Sequence, residues 1–495
     1  MTSAKTILCA CEDVTLADVG HAFAAGHRDL ESVKRYTAFG TGPCQGKTCL
    51  AAVARELLRL GATPAEIAPF TPRPPVEPLT LAELAAIDPA ALPLDAGVPR
   101  AAPRAPAERP RASAPAPARA DVVIVGGGIM GLALAYHLAR RGVTDVAVLE
   151  RGYLNAGASG RNGGGVRAQW TTPTLIRLGR RSLALIARFA TELGVNVWFR
   201  RGGYLFLAPD AAQARWLERN QRVHEENGLA TRLLSPDGAQ ELVPELDPSR
   251  FVAAAYNPDD GTVFPWPFLW GYAARAEALG AKVLTFTRVE GFETGGGRVT
   301  AVLTDRGRIA CGAVVNAAGA WSKEVAALAG VRLPNRPTRH EILVTESMKP
   351  WLDPLVSVLG SGLYFSQSQR GELVGGMGDP AEPEGLGAGS TLRFLARFAR
   401  AVTSCAPATG GLRVVRQWAG SYDVTPDNSP ILGPAGFPNF LQLNGFVGHG
   451  FMMAPAVTEL MAGWMAGDAP DPIFGRYTVD RFARGELVRE DFIIG

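Results

Sequence analysis

The sequence lacks several features that would assign the protein to a specialised class. It has no run of about 18 apolar residues, so a membrane-spanning helix is not expected. Fifty Lys and Arg against 47 Asp and Glu leave a net charge of +3, too small an excess to suggest a nucleic-acid or membrane-surface protein. Six cysteines in 495 residues exclude a disulfide scaffold. The first residues lack the apolar stretch of a signal peptide, and a cytoplasmic protein is expected.

The composition that is present indicates a large globular chain in three parts. Hydrophobic residues make up 47% of the chain, enough for buried cores. Helix signals in residues 1–75 predict a small, mostly helical domain. Residues 76–119 are rich in Ala, Pro and Arg, which predicts an extended linker because such a segment cannot bury a core. Strand and helix signals then alternate through residues 120–495, which predicts one large α/β unit.

Four of the six cysteines lie near the N-terminus, at Cys9, Cys11, Cys44 and Cys49. Four thiolates can hold a [2Fe–2S] cluster, and we predict these as its ligands. Structural zinc is an alternative, although a one-residue gap is tighter than the two to four residues usual between zinc cysteines. Disulfides or inert thiols are a third interpretation. The run Gly42-Pro43-Cys44-Gln45-Gly46-Lys47-Thr48-Cys49 resembles the bacterioferritin-associated-ferredoxin-like [2Fe–2S] domain.

A nucleotide-binding motif follows the linker. A buried strand at residues 122–125 leads into Gly126-Gly127-Gly128-Ile129-Met130-Gly131 and then into a helix. In a Rossmann-type fold the first glycine of this pattern allows a tight turn, the second admits a pyrophosphate, and the third lets the helix pack close to the strand. A second strand ends in Glu150, where a carboxylate can bind ribose hydroxyls. With all of these parts in place, the motif predicts a dinucleotide site.

NAD and FAD both use this motif, and the segment after the second strand favours FAD. Residues 157–165 are mostly small and can lie against a flat ring, although a surface turn is an alternative. Small residues at 314–321 allow a helix beside the cofactor, and the helix after residue 449 can stabilise a reduced, anionic flavin. The predicted cofactor-binding residues are Gly126, Gly128, Ile129, Met130, Gly131, Glu150, Arg151, Ala158, Ser159, Arg161, Asn162, Gly163, Gly164, Val289, Ala317, Gly319, Trp321, Gly448, His449, Gly450, Phe451 and Met452.

Residues 120–495 resemble the FAD-dependent D-amino-acid oxidase superfamily, in particular the sarcosine oxidase β-subunits and the dye-linked proline and opine dehydrogenases. The resemblance is carried by the Ser159-Gly160-Arg161-Asn162 loop and by segments 349–353, 366–374 and 416–433. It implies removal of a hydride from a carbon that bears an amino or imino nitrogen. It also implies a Rossmann-type FAD-binding part, residues 120–200, 250–335 and 415–495, and a mixed-sheet substrate part, residues 201–249 and 336–414.

Two positions depart from the pattern of the sarcosine oxidase β-subunits. Pro265 stands where those proteins carry a His that holds a second flavin covalently, and proline offers no nucleophilic nitrogen. A covalent second flavin is therefore not expected, while FMN at a subunit interface stays an expectation of the resemblance. Met452 stands where the family places a Lys that helps hold the substrate carboxylate or activate oxygen. A thioether cannot pair with a carboxylate, which disfavours both sarcosine and O2 as reactants.

Three side chains are predicted to act on the substrate. His449 lies between two glycines and is expected to contact flavin or substrate, with a backbone hydrogen bond as the alternative. Arg167 follows the flavin loop and can pair with a carboxylate, with a solvated position as the alternative. Tyr364 is expected in the pocket or in the core. The other histidines are predicted to be surface or structural residues: His21, His27, His137, His224 and His340.

Together the motifs predict an FAD-dependent dehydrogenase of a secondary amine or amino acid, of the sarcosine, proline, glycine or opine class. A flavin accepts two electrons and a [2Fe–2S] cluster carries one, so electrons are expected to leave singly through the cluster. The resemblance implies a larger complex with a partner subunit that has a second dinucleotide site. Two alternatives are an O2-dependent amine oxidase with a structural cluster, and an electron-relay or assembly subunit.

Overall fold

The computed structural model describes residues 5–67, 70, 74–75, 77–94, 115–154 and 156–490. No helix in these ranges is both long enough and apolar enough to cross a membrane. Nearly half of the predicted linker, residue 76 and residues 95–114, lies outside the described residues.

In chain order the strands are β1 Ile7–Cys9, β2 Val14–Thr15, β3 Leu79–Thr80, β4 Arg119–Val125, β5 Val146–Leu149, β6 Gly165–Val166, β7 Tyr204–Ala208, β8 Arg232–Leu234, β9 Ala253–Asn257, β10 Gly261–Thr262, β11 Lys282–Leu284, β12 Val289–Gly295, β13 Arg298–Thr304, β14 Gly307–Asn316, β15 Arg336–Ser347, β16 Leu355–Val358, β17 Leu363–Gln367, β18 Glu372–Gly376, β19 Arg413–Val424, β20 Ile431–Ala435 and β21 Phe437–Asn444.

The helices are α1 Leu16–Ala24, α2 Leu30–Thr37, α3 Leu50–Arg59, α4 Leu81–Ala85, α5 Ile129–Arg140, α6 Pro173–Leu193, α7 Ala211–Glu226, α8 Pro236–Leu242, α9 Pro265–Ala278, α10 Ser322–Leu328, α11 Leu392–Cys405, α12 Gly450–Met465, α13 Ile473–Arg476 and α14 Arg481–Arg484.

The N-terminal unit consists of a β1–β2 hairpin and helices α1 to α3 around a small apolar core. The Asp29 carboxylate caps α2 by accepting the backbone N–H of Ser32 at 2.9 Å. Helix α3 is followed by Gly61, whose φ of +102° turns the chain away from the helix. Local capping chemistry therefore sets the ends of these helices.

The nucleotide-binding part is built on an eight-stranded mixed sheet. Strands β11, β5, β4, β14 and β21 run parallel, while β12, β13 and β20 pair antiparallel at its edges. Helices α5, α6, α9 and α12 cover one face and share an apolar core with it. The parallel strands are buried on both faces, as the apolar run at residues 122–125 predicts.

A second, nine-stranded sheet has the order β3-β19-β15-β18-β17-β16-β7-β9-β8, with α11 packed on it. The α/β class with mixed sheets is confirmed. Three details differ from the expected boundaries. Strands β9 and β19 belong to this second sheet, because β9 pairs with β7 and β19 pairs with β15, and β3 joins its edge by pairing with β19. Residues 79–85 of the predicted linker are therefore structured, because they join the edge of this sheet. Composition alone does not reveal such a contact.

Candidate functional site

A glycine turn joins β4 to α5 at the carboxyl end of the parallel strands. Gly126 has a φ of +115°, and a Cβ there would lie 2.4 Å from the carbonyl oxygen of Ala317. A Cβ on Gly131 would lie 2.0 Å from the carbonyl oxygen of Gly126. Neither position accepts a side chain. The N-cap of α5 is Gly128, which offers no capping side chain, so a phosphate can satisfy the first amides of the helix.

A cavity of about 450 Å³, the large cavity, extends from this turn along the carboxyl ends of β4, β5, β14 and β21. Open α/β sheets bind their ligands at this edge. The predicted cofactor residues that line it are Gly126, Gly128, Ile129, Met130, Glu150, Arg151, Ala158, Ser159, Asn162, Val289, Ala317, Gly319, Trp321, Gly448, Gly450 and Phe451. Sequence reasoning did not identify further lining residues, which include Thr287, Arg288, Glu324, Ser421, Asp423 and Asn444.

The polar groups of the large cavity fit a dinucleotide. Glu150 ends β5, and its carboxylate oxygens accept the backbone N–H groups of Gly127 at 3.0 Å and Gly152 at 2.7 Å. Burial raises the pKa of this carboxyl. The hydroxyl of Ser159 accepts the N–H of Ile129 at 3.1 Å, which ties the glycine-rich loop to the start of α5. FAD requires a helix N-terminus for its phosphates, a carboxylate for its ribose and a wall of small residues for its flat ring, and the large cavity provides these three features.

The predicted flavin loop is shaped by its own side chains. Asn162 donates to the carbonyl of Ser159 at 2.6 Å and accepts the N–H of Gly164 at 2.7 Å. Arg161 donates to the carbonyl oxygens of Ala156 at 2.9 Å and Ala419 at 2.8 Å. Arg161 therefore braces the loop against β19, a role that the sequence motif does not reveal.

A smaller cavity of about 80 Å³, the small cavity, adjoins the large one. The two share Ala158, Asn162, Tyr422, Gly448 and Phe451 in their walls, so they lie next to each other. The predicted site residues Arg161, Gly163, Gly164, Arg167, Tyr364, His449 and Met452 line the small cavity. Gly131 lines neither cavity and serves the packing of α5.

Arg167 lies just after β6 with only 2% of its surface exposed. Its guanidinium carbon lies 3.7 Å from the ring centroid of Trp170 and 5.5 Å from that of Phe206, and it donates to the carbonyl of Gln169. Burial lowers the pKa of Arg167 to about 10, so the group remains cationic at neutral pH. A buried cation among aromatic rings at a cavity wall can pair strongly with a carboxylate.

His449 is the N-cap residue of α12 and is 3% exposed. Its ring lies 4.8 Å from that of Trp170, and neither ring nitrogen has a hydrogen-bond partner among the described residues. Burial, with the nearby charge of Arg167, lowers the pKa of His449 to about 3. The imidazole is therefore neutral and offers the cavity one donor and one acceptor.

Tyr364 and His340 form a pair in the wall of the small cavity. The Tyr364 hydroxyl lies 3.0 Å from His340 Nε2, and the His340 ring stacks on Tyr422 with centroids 4.6 Å apart. Burial lowers the pKa of His340 to about 4 and raises that of Tyr364, so both are neutral. The prediction of a surface or structural role for His340 missed its place in this wall, because the contact joins strands β15 and β17 from separate parts of the chain.

The four N-terminal cysteines come together in two pairs. Cys9 lies against Cys49, both buried, and the exposed Cys11 lies against the half-buried Cys44. All four are free thiols. Burial, with the neighbouring Cys9, raises the pKa of Cys49 to about 12, whereas hydrogen bonds from Thr48 outweigh burial and lower that of Cys44 to about 7.

Among the described residues, no group of three or more His, Cys, Asp or Glu side chains could hold a metal ion. The arrangement of the thiols thus does not itself establish the predicted cluster. Gly42 packs closely against one of these cysteines, since a Cβ there would lie 2.4 Å from Cys11 Cβ.

A third cavity, the junction cavity, lies between the N-terminal unit and the body and has a volume of about 170 Å³. Arg416 crosses this junction by donating to the carbonyl of Thr41 at 2.9 Å, and Arg370 forms an ion pair with Glu12. Its wall combines five cations with five aromatic rings: Lys34, Arg35, Arg161, Arg370 and Arg416, with Phe70, Trp198, Phe264, Trp266 and Trp418. Asn162 and Gly163 of the flavin loop also line the junction cavity. Because Asn162 lines the large and small cavities as well, the flavin loop borders all three cavities.

Comparison with known families gives two matches. The family described as FAD dependent oxidoreductase matches residues 121–464. The sarcosine oxidase A3 domain matches residues 3–88, which covers the N-terminal unit and extends to α4.

Individual relatives cover most of the body. The sarcosine oxidase subunit beta of Rhizobium meliloti (strain 1021) is 32% identical over 375 residues, 75% of this chain and 90% of that protein. The crystal structure of L-proline dehydrogenase from P. horikoshii matches with a TM-score of 0.72 and 35% identity, over 75% of this chain and 100% of that one. Glycine oxidase from Geobacillus kaustophilus matches with a TM-score of 0.69 and 26% identity, over 74% of this chain and 99% of that one.

Proposed function

We propose that this chain, which belongs to the family of FAD dependent oxidoreductases, oxidises a small secondary amine or amino acid of the sarcosine, proline, glycine or opine class. The observation that carries the proposal is the adjacency of the two cavities, with a dinucleotide cradle in one and a buried guanidinium, Arg167, in the wall of the other. The names of the relatives support the same class, since they act on sarcosine, L-proline and glycine.

When bound, FAD supplies the acceptor for the hydride that leaves the carbon next to the nitrogen. Arg167 pairs with the substrate carboxylate, and Trp170 and Phe206 exclude water from that pair, which strengthens it. Neutral His449 accepts a hydrogen bond from the substrate N–H through a ring nitrogen. Among the described residues no carboxylate lines the small cavity, so the site favours the neutral amine, whose lone pair assists hydride loss without a strong base.

Anaerobic addition of sarcosine, L-proline, glycine or an opine is expected to bleach the flavin absorption with at least one of them. The measurement is a titration of the purified, FAD-containing chain in a sealed cuvette. Stoichiometric hydrogen peroxide on admission of air would instead favour the O2-dependent oxidase. If no member of the panel reduces the flavin, the proposed activity is wrong.

We further propose that the electrons leave one at a time through a [2Fe–2S] cluster held by Cys9, Cys11, Cys44 and Cys49. The cysteine spacing, the adjacency of the thiols and the close approach of Gly42 support this assignment. The chain would work in a complex with a partner subunit that carries the second dinucleotide site, as the match to a sarcosine oxidase subunit supports. The domain limits 1–75 and 120–495 and a cytoplasmic location complete the proposal, with residues 79–85 of the segment 76–119 added to the edge of the second sheet.

The junction cavity is the proposed site for FMN, with the partner subunit completing its wall. Its aromatic rings suit a flat ring system. Its five cations outnumber its two carboxylates, Glu31 and Glu372, which suits a phosphate, although Glu31 pairs with Lys34 and Arg35. Pro265 lines this cavity, so the flavin there would be noncovalent.

The isolated complex is expected to contain two irons and one FMN for each FAD. Iron analysis and chromatography of acid-extracted flavins measure these ratios together. Changing both Cys11→Ser and Cys44→Ser should remove the iron and leave FAD in place, because these thiols lie outside the large cavity. Cys311→Ser, a change far from the N-terminal unit, is the matched control and should keep all three cofactors. Full FAD occupancy without iron would refute the cluster.

A further inference from the structure

Asp260 is a fully buried carboxyl directly behind the strand that carries Arg167. It precedes β10, which pairs antiparallel with β6, and Gly261 lies opposite Val166. Its Oδ1 accepts the N–H of Ala168 at 2.7 Å, and its Oδ2 accepts the side-chain amide of Gln169 at 3.0 Å. The carbonyl of the same Gln169 accepts the guanidinium of Arg167. One short chain of contacts therefore links Asp260 to the cation at the wall of the small cavity.

Two buried carboxyls already interact with the charge of Arg167 before any substrate enters. Arg167 interacts electrostatically with the carboxyls of Asp260 and Glu490, and Glu490 is also fully buried. A substrate carboxylate against Arg167 would place a third negative charge in this region. In a medium of low dielectric constant such an excess is costly, and protonation of a carboxyl removes it.

The other groups that face this cluster cannot easily take the proton. Burial lowers the pKa of His449 to about 3 and that of His224 to about 4, and it raises the pKa of Tyr204 well above its usual value. Tyr256 also faces Asp260, and burial raises its pKa as well. Burial raises the pKa of Asp260 to about 7, so this carboxyl can gain or lose a proton near neutral pH.

The surroundings of Asp260 can also serve both of its protonation states. Gln169 is fully buried, and its Oε1 has no hydrogen-bond partner among the described residues. Rotation of this amide by about 180° would present Oε1 to Oδ2 in place of the N–H donor, with loss of the hydrogen bond that the amide donates to the carbonyl of Tyr204 at 3.2 Å. A protonated Asp260 would then have an acceptor for its O–H.

We propose that Asp260 is the proton-uptake group of the substrate site: above neutral pH it is ionised while the small cavity is empty, and it takes a proton from solvent when a carboxylate binds against Arg167. Asp260 is a positioning residue, since it acts through Arg167 and does not touch the ligand. The inference rests on the proposed function only in assigning a carboxylate to Arg167.

The sign of the pH dependence follows from this linkage. Because carboxylate binding and protonation favour each other, affinity is highest below the pKa of Asp260 in the free protein and falls as pH rises above it. For a coupling of one to two pKa units, Kd should rise roughly 5- to 25-fold between pH 7 and pH 9. At pH 8 the protein should take up about 0.4 to 0.8 proton for each ligand bound.

The test uses the FAD-containing protein and propanoate, a carboxylate without an amine that could titrate. Calorimetry at pH 8 in HEPES and in Tris separates proton uptake from binding heat, and the flavin spectrum reports binding independently. Asp260→Asn should abolish the uptake and flatten Kd across pH 7–9. Asp259→Asn, the same change at the exposed neighbouring residue, should behave as the unaltered protein.

Uptake that persists in D260N, or binding to the unaltered protein without uptake, would overturn the proposal. The measurement on the unaltered protein decides the question even if D260N does not fold. Failure of propanoate to bind at all would refute the role of Arg167, and thus the proposed function, by a separate result.

Discussion

Replacement of Arg167 by methionine should lower kcat/KM for a carboxylate-bearing amine by about 30- to 3,000-fold. A buried, charge-assisted pair between a guanidinium and a carboxylate contributes about 2–5 kcal/mol, and methionine keeps the packing against Trp170 and Phe206 while removing the charge. Arg167→Lys should restore part of the loss, since an ammonium keeps the charge without the bidentate geometry. Steady-state kinetics with an artificial electron acceptor measures the effect.

The matched control for this change is Arg215→Met, on the exposed face of α7, which should leave kcat/KM unchanged. FAD content of each variant separates a catalytic effect from a folding defect. If R167M turns over substrate at the normal rate, Arg167 does not hold the substrate. The interpretation of the chain as an electron-relay or assembly subunit would then be favoured.

Gly131→Ala should produce a protein that retains less than about a tenth of the normal FAD. The added Cβ would lie 2.0 Å from the carbonyl oxygen of Gly126, and backbone cannot yield there without moving the turn that receives the phosphates. Loss of the bound cofactor also removes about 3 kcal/mol or more of linked stability, if FAD normally saturates its site about 100-fold or more. Flavin absorbance per chain and thermal unfolding with and without added FAD measure both effects.

Gly475→Ala is the control for this glycine, because no atom lies within 4 Å of the Cβ that it would introduce and the residue is exposed. It should retain full FAD and the same unfolding temperature. Stoichiometric FAD in G131A would show that the helix does not need its close approach to the turn.

Local chemistry explains why the cofactor cradle was predictable. The turn at Gly126 and the start of α5 depend on residues a few positions apart, where each glycine has a steric reason that can be recognised in the sequence. The same holds for the cap of α2 by Asp29. Predictions of this kind need only the chain within about ten residues.

The wall of the small cavity was less predictable because its members come from separate strands. Arg167, His449 and Tyr364 were identified next to recognisable motifs, and the structure brings all three to one cavity. His340 and Asp260 have no such motif, and they reach the site through the pairing of β15 with its sheet and of β10 with β6. Their neutral or ionised state depends on burial, which is a property of the assembled structure.

The amino-acid sequence by itself determined the α/β class, the FAD cradle and the grouping of four cysteines in a small N-terminal unit, because glycine sterics, apolar periodicity and thiol spacing act over short stretches of chain. Only the tertiary structure decided that the cradle adjoins a small cavity whose wall holds the buried guanidinium of Arg167, with the carboxyl of Asp260 behind it. It also decided that cations and aromatic rings meet between the N-terminal unit and the body. Those features depend on strand pairing and domain contact, which place residues far apart in the chain within hydrogen-bond distance and set the dielectric environment of their charges.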